Sequence, residues 1–177
     1  MTQRALILVE GLSDRIALET LAARRGRDLA AEGVAVVAIG GAQAIERALR
    51  GVSDVRVAGL YDVAEERAVL RGLERAGVGA DGFFACTPDL EGELVRALGT
   101  ERMLELVETR GQLGAFNTYR KQPAQRAKPL EAQLHGWLHN WKIRYAAPLV
   151  EALDLRRVPR PLDGVLDAVS GSDPLSV

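Results

Sequence analysis

Residues 5–14 read ALILVEGLSD, an apolar run that passes into a glycine-containing turn between two acidic residues. The apolar part, residues 5–9, has the length and composition of a buried β-strand. Glu10 follows it directly, and Ser13 is predicted to cap a helix that runs to about Arg25. This stretch therefore predicts a strand that turns into a helix, with acidic side chains at the turn.

The same alternation continues along the first ninety residues. Further strands are predicted at 34–39, 55–61 and 82–86, with helices at 42–49 and 65–75 between them. Continuous apolar strands separated by amphipathic helices are typical of a parallel sheet covered on both faces. The sequence thus predicts an α/β fold with a parallel sheet of about four strands.

Beyond Cys86 the pattern predicts helices only. Thr87 is predicted to cap a helix that has Pro88 at its first position and ends near residue 98. Further helices are predicted at 101–109, 130–140, 143–153 and 162–169, and the polar segment 111–129 is predicted to be a long loop or short helical turns. We therefore predict an α/β domain at residues 1–99 and a helical, basic extension at 100–177 that packs on it.

Charge is distributed unevenly along the chain. Residues 120–160 hold nine Lys or Arg against three acidic residues, which gives this segment +6, and the rest must carry −7 to reach the overall −1. An acidic part joined to a basic part fits a metal site beside a phosphate-binding surface. A solvated basic face in an arginine-rich protein explains the same numbers.

Other bulk features predict a cytoplasmic protein that does not enter a membrane. The longest uncharged stretch, residues 33–45, is too short to cross a bilayer, and the first residues lack the pattern of a signal peptide. The single cysteine, Cys86, excludes an intramolecular disulfide and is predicted to be a buried strand residue.

Acidic residues follow three of the predicted strands. The carboxyl ends of parallel strands meet at one edge of the sheet, and hard ions such as Mg²⁺ or Mn²⁺ bind where several carboxylate oxygens converge. Each acid alone could equally serve the positive end of a helix dipole. Their joint placement predicts a metal site formed by Glu10, Asp14, Asp62, Glu66, Asp89 and Glu91.

The opening stretch also resembles a known motif. Residues 9–14 (VEGLSD), followed by Ala17 and Leu18, are similar to the first motif of the TOPRIM domain, a Rossmann-like fold found in topoisomerases, bacterial primases, recombination mediators and OLD nucleases. The resemblance implies that Glu10 is a metal-site or acid/base residue. It also implies a later Asp-x-Asp motif that holds magnesium, in which Asp62 takes the first position. Ala64 takes the third, so Glu65 or Glu66 would have to supply the missing oxygen.

Later segments resemble the OLD branch of that family. The Asp89-Leu90-Glu91 helix start, residues 120–123 (RKQP) and residues 142–146 (KIRYA) are similar to its C-terminal part, where a lysine joins the catalytic site. The resemblance implies that Lys142 is catalytic together with Glu10. It also implies that the neighbouring basic residues Arg120, Lys121 and Arg144 bind nucleic acid.

The activity implied by this resemblance is magnesium- or manganese-dependent cleavage of DNA, with RNA not excluded. The resemblance implies a protein of two parts, in which an ATPase precedes the TOPRIM part. No Gly-x-x-x-x-Gly-Lys-Ser/Thr loop, the phosphate-binding motif of such ATPases, occurs in these 177 residues. Either the protein acts alone or a separate ATPase subunit joins it, and a homodimer is a further expectation. Two alternatives remain: a degenerate module that only binds nucleic acid or an ATPase, and a phosphoacceptor domain that uses Asp62.

One group of ring-bearing residues lies in the basic segment. His135 and His139 are four residues apart, as helical zinc ligands can be, but no acidic or cysteine partner has the characteristic spacing, so we predict two surface histidines. Trp137, Trp141 and Tyr145 could stack on unpaired bases, but their helical spacing favours a place in the core.

Overall fold

The computed structural model describes residues 3–170, so the outermost parts of the two predicted domains, 1–2 and 171–177, lie outside the described residues. Four parallel strands form one sheet in the order β2-β1-β3-β4. The strands are β1 (Ala5–Val9), β2 (Val34–Ala38), β3 (Arg56–Asp62) and β4 (Phe83–Cys86). The predicted α/β class and parallel sheet are confirmed.

Helices flank the sheet on both faces. They are α1 (Leu12–Arg24), α2 (Ile45–Leu49), α3 (Glu66–Ala76), α4 (Leu90–Thr109), α5 (Leu113–Arg120), α6 (Pro123–Arg126), α7 (Leu130–Leu138), α8 (Lys142–Ala152) and α9 (Arg160–Val169). Single 3-10 turns precede α2 and α3. The segment predicted as a loop or short turns thus contains α5 and α6.

Alternation along β1 divides the apolar side chains between the two faces, because successive residues of a strand point to opposite sides. Ile7 and Val9 belong to a cluster that includes residues of α1, α4, α7, α8 and α9. Leu6 and Leu8 belong to a second cluster, with residues of α2 and α3. Helix α1 and the C-terminal helices therefore cover one face of the sheet, and α2 and α3 cover the other.

Two predicted helix starts are wrong. Gly11, not Ser13, is the N-cap of α1, and Ser13 is a buried residue inside the first turn. Asp89, not Thr87, is the N-cap of α4, and its carboxylate accepts the N–H of Gly92 at 2.8 Å. At α4 a carboxylate takes the capping role predicted for a hydroxyl, whereas at α1 the cap is a glycine, and the carboxylate of Asp14, three residues later, accepts the Gly11 N–H.

The two helices predicted on either side of residue 99 are both present, and they follow each other directly across a kink inside α4. Gly99 has φ 77° and ψ 159° inside α4, a conformation that L side chains rarely adopt. The kink lies where the predicted domain boundary falls, and the apolar cluster on that face of the sheet continues across it. No helix among residues 3–170 is long and apolar enough to cross a membrane.

Candidate active site at the carboxyl edge of the sheet

Glu10 and Asp62 lie side by side because β1 and β3 are neighbouring strands. Glu10 follows the last residue of β1, and Asp62 is the last residue of β3. One Glu10 carboxylate oxygen, Oε1, accepts the backbone N–H of Asp62 at 3.1 Å. This bond fixes the Glu10 side chain across the two strand ends, at the edge where the sequence predicts the site.

Asp14 joins them from the first turn of α1. Its Oδ2 accepts the N–H of Gly11 at 2.8 Å, which turns the carboxylate back toward the end of β1. Burial, with the nearby charges of Glu91 and Glu10, raises the pKa of the Asp14 carboxyl to about 6, and the hydrogen bond from Gly11 opposes this shift. Asp14 is therefore a partly desolvated acid that faces other acids.

The electrostatics of Asp62 and Glu10 show the same strain. Burial raises the pKa of Asp62 to about 7, with added repulsion from Glu10, Asp89 and Asp14. Burial also raises the pKa of Glu10, and the charge of Glu65 adds to the shift. A cation bound between carboxylates that repel one another in a half-buried cleft would relieve the repulsion. Oxygen ligands of this kind suit a hard divalent ion.

Lys142 provides a positive charge in this cleft. It begins α8, and its Nζ lies 2.8 Å from Oε2 of Glu91, whose side chain is only 5% exposed. Burial would lower the pKa of Lys142, but the hydrogen bond to Glu91 and the charges of Glu91, Asp89 and Asp62 raise it above its usual value. Lys142 is thus held as an ammonium, and Glu91 is engaged by it rather than free.

Asp89 has a different set of partners. Its Oδ1 accepts hydrogen bonds from Gly92 N–H and from His135 Nε2, the latter at 2.7 Å, and its Oδ2 lies 3.8 Å from Nε2 of His139. Burial would raise the pKa of Asp89, but these hydrogen bonds, with the charges of His135 and Lys142, lower it. Asp89 is therefore an ionised carboxylate with a histidine pair beside it.

Sequence reasoning missed this Asp89 contact. The prediction of two surface histidines is confirmed for the exposed His139, but His135 is half-buried, and the acidic partner lies 46 residues before it, at the start of α4. The four-residue spacing of His135 and His139 was the available signal. It could not reveal an acid contributed by another helix.

The turn after β3 places Glu65 and Glu66 differently. Glu65 is half-buried and its charge acts on Glu10. Glu66 is exposed at the start of α3. Burial is the larger cause of the raised pKa of Tyr61, and the Glu66 carboxylate adds to it. Ala64 is exposed in the 3-10 turn between Asp62 and these acids. Of the two possible substitutes for the missing aspartate, Glu65 is the one whose charge acts on the site. The ligand role of Glu66 remains a prediction that these contacts do not favour.

The three predicted nucleic-acid-binding residues lie on two helices. Arg120 ends α5, donates from Nε to Gln133 Oε1 at 2.8 Å and lies over the Phe116 ring; with the exposed Lys121 it lines a groove of about 600 Å³. Arg144 is exposed in the first turn of α8, and its guanidinium lies 5.6 Å from the centre of the Trp141 ring. Arg144 is therefore two residues from Lys142.

The other residues singled out by sequence are in the core. Tyr145 is fully buried, Trp137 is buried and Trp141 packs against the cluster as a partly buried residue. Cys86 is buried at the end of β4, as predicted. Stacking of bases on these rings would require the core to open.

Comparisons with known proteins concern the family and the fold of this chain. Residues 3–61 match the family model described as "Overcoming lysogenization defect protein-like, TOPRIM domain". The C-terminal region of the Xanthomonas campestris pv. campestris OLD protein is similar in structure, with a TM-score of 0.71 and 21% identity over 94% of this chain and 92% of that one. The C-terminal region of the Burkholderia pseudomallei OLD protein has a TM-score of 0.69 and 20% identity over 96% and 98% of the two chains. A search of curated proteins finds no match.

Proposed function

We propose that this chain, which carries an OLD-like TOPRIM domain at residues 3–61 and has the fold of OLD C-terminal regions, acts in divalent-metal-dependent hydrolysis of DNA phosphodiesters. One observation carries the proposal. Glu10, Asp14 and Asp62 all lie at the carboxyl edge of the sheet, where burial and the charges of neighbouring acids raise their pKa values, and the charge of Lys142 acts on all three. Acids and a lysine in this arrangement are what phosphoryl chemistry with a metal requires.

Glu10, Asp14 and Asp62 would hold Mg²⁺ or Mn²⁺, with Asp89 at the margin of the site and Glu65 as the nearest further acid. When bound, the ion supplies positive charge to the phosphate and lowers the pKa of a water molecule. Glu10 accepts the N–H of Asp62 through Oε1, which orients its carboxylate across the two strand ends. Lys142, oriented by Glu91, would neutralise charge that develops on the phosphate oxygens.

The basic residues outside the cleft would bind the phosphate backbone. Arg144 follows Lys142 by two residues on α8 and is exposed, while Arg120 and Lys121 line the groove at the end of α5. Contacts of this kind give affinity that depends on salt and little on sequence. A separate ATPase subunit and a second copy of the chain remain proposals for partners of this module.

A second candidate function is a binding module without catalysis. The observation that favours it is Ala64, which stands where the TOPRIM motif has its second aspartate. Such a module would keep the basic residues and the fold, and it would bind DNA or an ATPase without cutting. Glu65 is the residue that decides between the two functions, because its charge already reaches Glu10.

Cleavage of supercoiled plasmid DNA by the purified protein tests the proposal. Metal-stripped protein is incubated with Mg²⁺ or Mn²⁺ beside a Glu10→Gln variant. We expect metal-dependent nicking that falls by a factor on the order of a hundred or more in the variant. DNA binding without cleavage would favour the binding module, and equal cleavage by both proteins would exclude the Glu10 site as its source.

A further inference from the structure

Asp89, His135 and His139 form a cluster that the proposed hydrolysis does not use as a unit. Each can offer one ligand atom, and these atoms all lie within 4.8 Å of one another. It is the one group of three or more such side chains that meets this spacing within residues 3–170. The carboxylates of Glu10, Asp14 and Asp62 are more widely spread, so the two sets differ in geometry as well as in chemistry.

Two helices, α4 and α7, hold the cluster in place. Asp89 is the N-cap of α4 and is fixed by the N–H of Gly92. His135 lies on α7, and His139 follows one turn later as the C-cap of that helix. Residues four apart on a helix point to the same side, and the two rings pack edge to face with centres 5.0 Å apart. Both therefore face the same carboxylate from one rigid helix.

The hydrogen bonds determine which ring nitrogens face the cluster. Nδ1 of His139 lies 3.4 Å from the backbone oxygen of His135, and a carbonyl oxygen can only accept, so Nδ1 carries the proton. The lone pair of a neutral His139 is then on Nε2, the atom that faces Asp89. A carbonyl bound to the far nitrogen is the usual arrangement that orients a metal-binding histidine. The Nε2 of His135 is hydrogen-bonded to the Oδ1 of Asp89 at 2.7 Å. Both of these atoms are potential metal ligands, and a proton lies between them.

Solvent can reach this cluster. The side chains of His135 and His139 are 24% and 52% exposed, whereas that of Asp89 is 10% exposed. Two nitrogens and one oxygen supply three ligands, so at least one position of a four-coordinate ion would remain open to water or phosphate. Imidazole ligands favour Zn²⁺, Co²⁺ and related borderline ions, whereas Mg²⁺ prefers oxygen alone.

We propose that Asp89, His135 and His139 form a second metal site, selective for a borderline transition ion such as Zn²⁺ or Co²⁺ over Mg²⁺. The site adjoins the carboxylate cleft, because the charge of Asp89 acts on Asp62. An ion held there reduces the negative charge that Asp89 presents to the cleft. The site does not depend on the proposed hydrolysis, and it exists whether or not the chain cuts DNA.

The chain is well suited to a direct test, because it contains only two histidines. Protein prepared without a histidine tag and stripped of metal is titrated with Co²⁺, and the visible absorption of the bound ion is recorded. Ring signals of the two histidines are followed by NMR during the same titration. We expect one equivalent of Co²⁺ with nitrogen ligation, displacement by Zn²⁺, and no displacement by millimolar Mg²⁺.

Variants separate this site from the carboxylate cleft. His139→Ala should weaken Co²⁺ binding by a factor on the order of a hundred, since it removes one of three ligands. His139 is exposed, so the variant should fold, and its thermal melt without metal checks this. Asp62→Asn removes a cleft carboxylate and leaves both histidines, and it should bind Co²⁺ within a few-fold of the unchanged protein.

Two results would overturn the proposal. One is Co²⁺ binding that is lost in Asp62→Asn and kept in His139→Ala, which would assign the ion to the cleft. The other is a His135→Ala variant that melts earlier without metal while Co²⁺ binding is unchanged, which would make the Asp89–His135 contact a tether between α4 and α7. Loss of plasmid cleavage in these variants is scored separately, so failure of the proposed hydrolysis leaves the metal result readable.

Discussion

Lys142 and Glu91 show how a single ion pair can position a catalytic charge. Glu91 is almost fully buried, and a buried carboxylate needs a partner because loss of hydration is costly. Lys142 is only partly buried, with 32% of its side chain exposed, so its ammonium can serve Glu91 and a phosphate together. The ion pair therefore orients Lys142 and leaves its ammonium able to bind a phosphate in the cleft.

Replacing Lys142 tests this role at the level of one residue. Lys142→Ala should lower the rate of metal-dependent cleavage by a factor on the order of a hundred or more, the usual cost of losing one preorganised charge. DNA affinity should change only a few-fold, because other basic residues supply the salt-dependent attraction. Lys128→Ala is the matched control, since Lys128 is exposed and is not one of the predicted site residues. Equal, small effects of both substitutions on cleavage would exclude a catalytic role.

The raised pKa values of Asp14 and Asp62 predict a dependence of stability on pH. Both stand at 3.8 in a free side chain and reach about 6 and about 7 in the folded protein. An acid whose pKa is raised by folding contributes stability below its unfolded pKa and loses it as the pH rises through the folded value. Metal-free protein should therefore become less stable between about pH 4 and pH 7.

Asp62→Asn should remove part of that loss. At pH 8 without metal, the variant should be more stable than the unchanged protein by on the order of 1 kcal/mol, less than the full shift implies because solvent screens the partly exposed Asp62. Thermal melts in a chelating buffer at several pH values measure the effect. Asp81→Asn, at an exposed turn, is the control and should not alter the pH profile. A variant that is less stable than the unchanged protein at pH 8 would contradict the electrostatic account.

The strands could be predicted from sequence, whereas the turns at their ends could be predicted only in part. Apolar runs bounded by glycine and charge locate β1 to β4 within one or two residues. The start of a helix depends on where the backbone leaves the strand, and a hydroxyl in the turn does not locate it, so Gly11 and Asp89 hold the positions predicted for Ser13 and Thr87. Contacts between distant elements leave no local pattern, and for that reason the histidine pair of α7 could not be matched to Asp89.

The turn between β3 and α3 allows a test of the missing aspartate. Ala64 is exposed beside Asp62, so a carboxylate at this position could enter the cleft without disturbing the core. Ala64→Asp should tighten Mg²⁺ binding by on the order of tenfold, because the number of charged ligands sets the affinity of such sites. Isothermal titration measures this, with Ala64→Ser as the control that adds an uncharged oxygen. Unchanged affinity in Ala64→Asp combined with weaker binding in Glu65→Gln would mean that Glu65 already completes the site.

At the scale of the whole molecule, the C-terminal helices are part of the fold that forms the site. The cluster on one face of the sheet runs from β1 and α1 to α7, α8 and α9, and Lys142 comes from α8. Arg24 joins the two parts directly: its Nη1 donates to the backbone oxygens of Val150 and Leu153 at 2.7 and 2.9 Å. Arg27 makes a similar bond to Leu166. The predicted boundary at residue 99 therefore separates the chain into parts that share one core.

This shared core predicts that residues 1–99 do not fold alone. Without α7, α8 and α9, Ile7, Val9 and Leu18 would be exposed to water, and a sheet with one bare apolar face is prone to associate. The fragment should give neither a cooperative melt nor dispersed amide signals.

In the full chain, Arg24→Ala should lower the free energy of unfolding by about 1–3 kcal/mol, because two carbonyl oxygens lose a charged donor. Arg15→Ala, whose ion pair with Glu19 is exposed on the same helix, is the matched control and should cost less than about 1 kcal/mol. Equal, small effects of the two arginine variants would show that the contact from Arg24 to the end of α8 does not stabilise the joint between the two parts. A fragment of residues 1–99 that melts cooperatively would show that the α/β part is an independent domain.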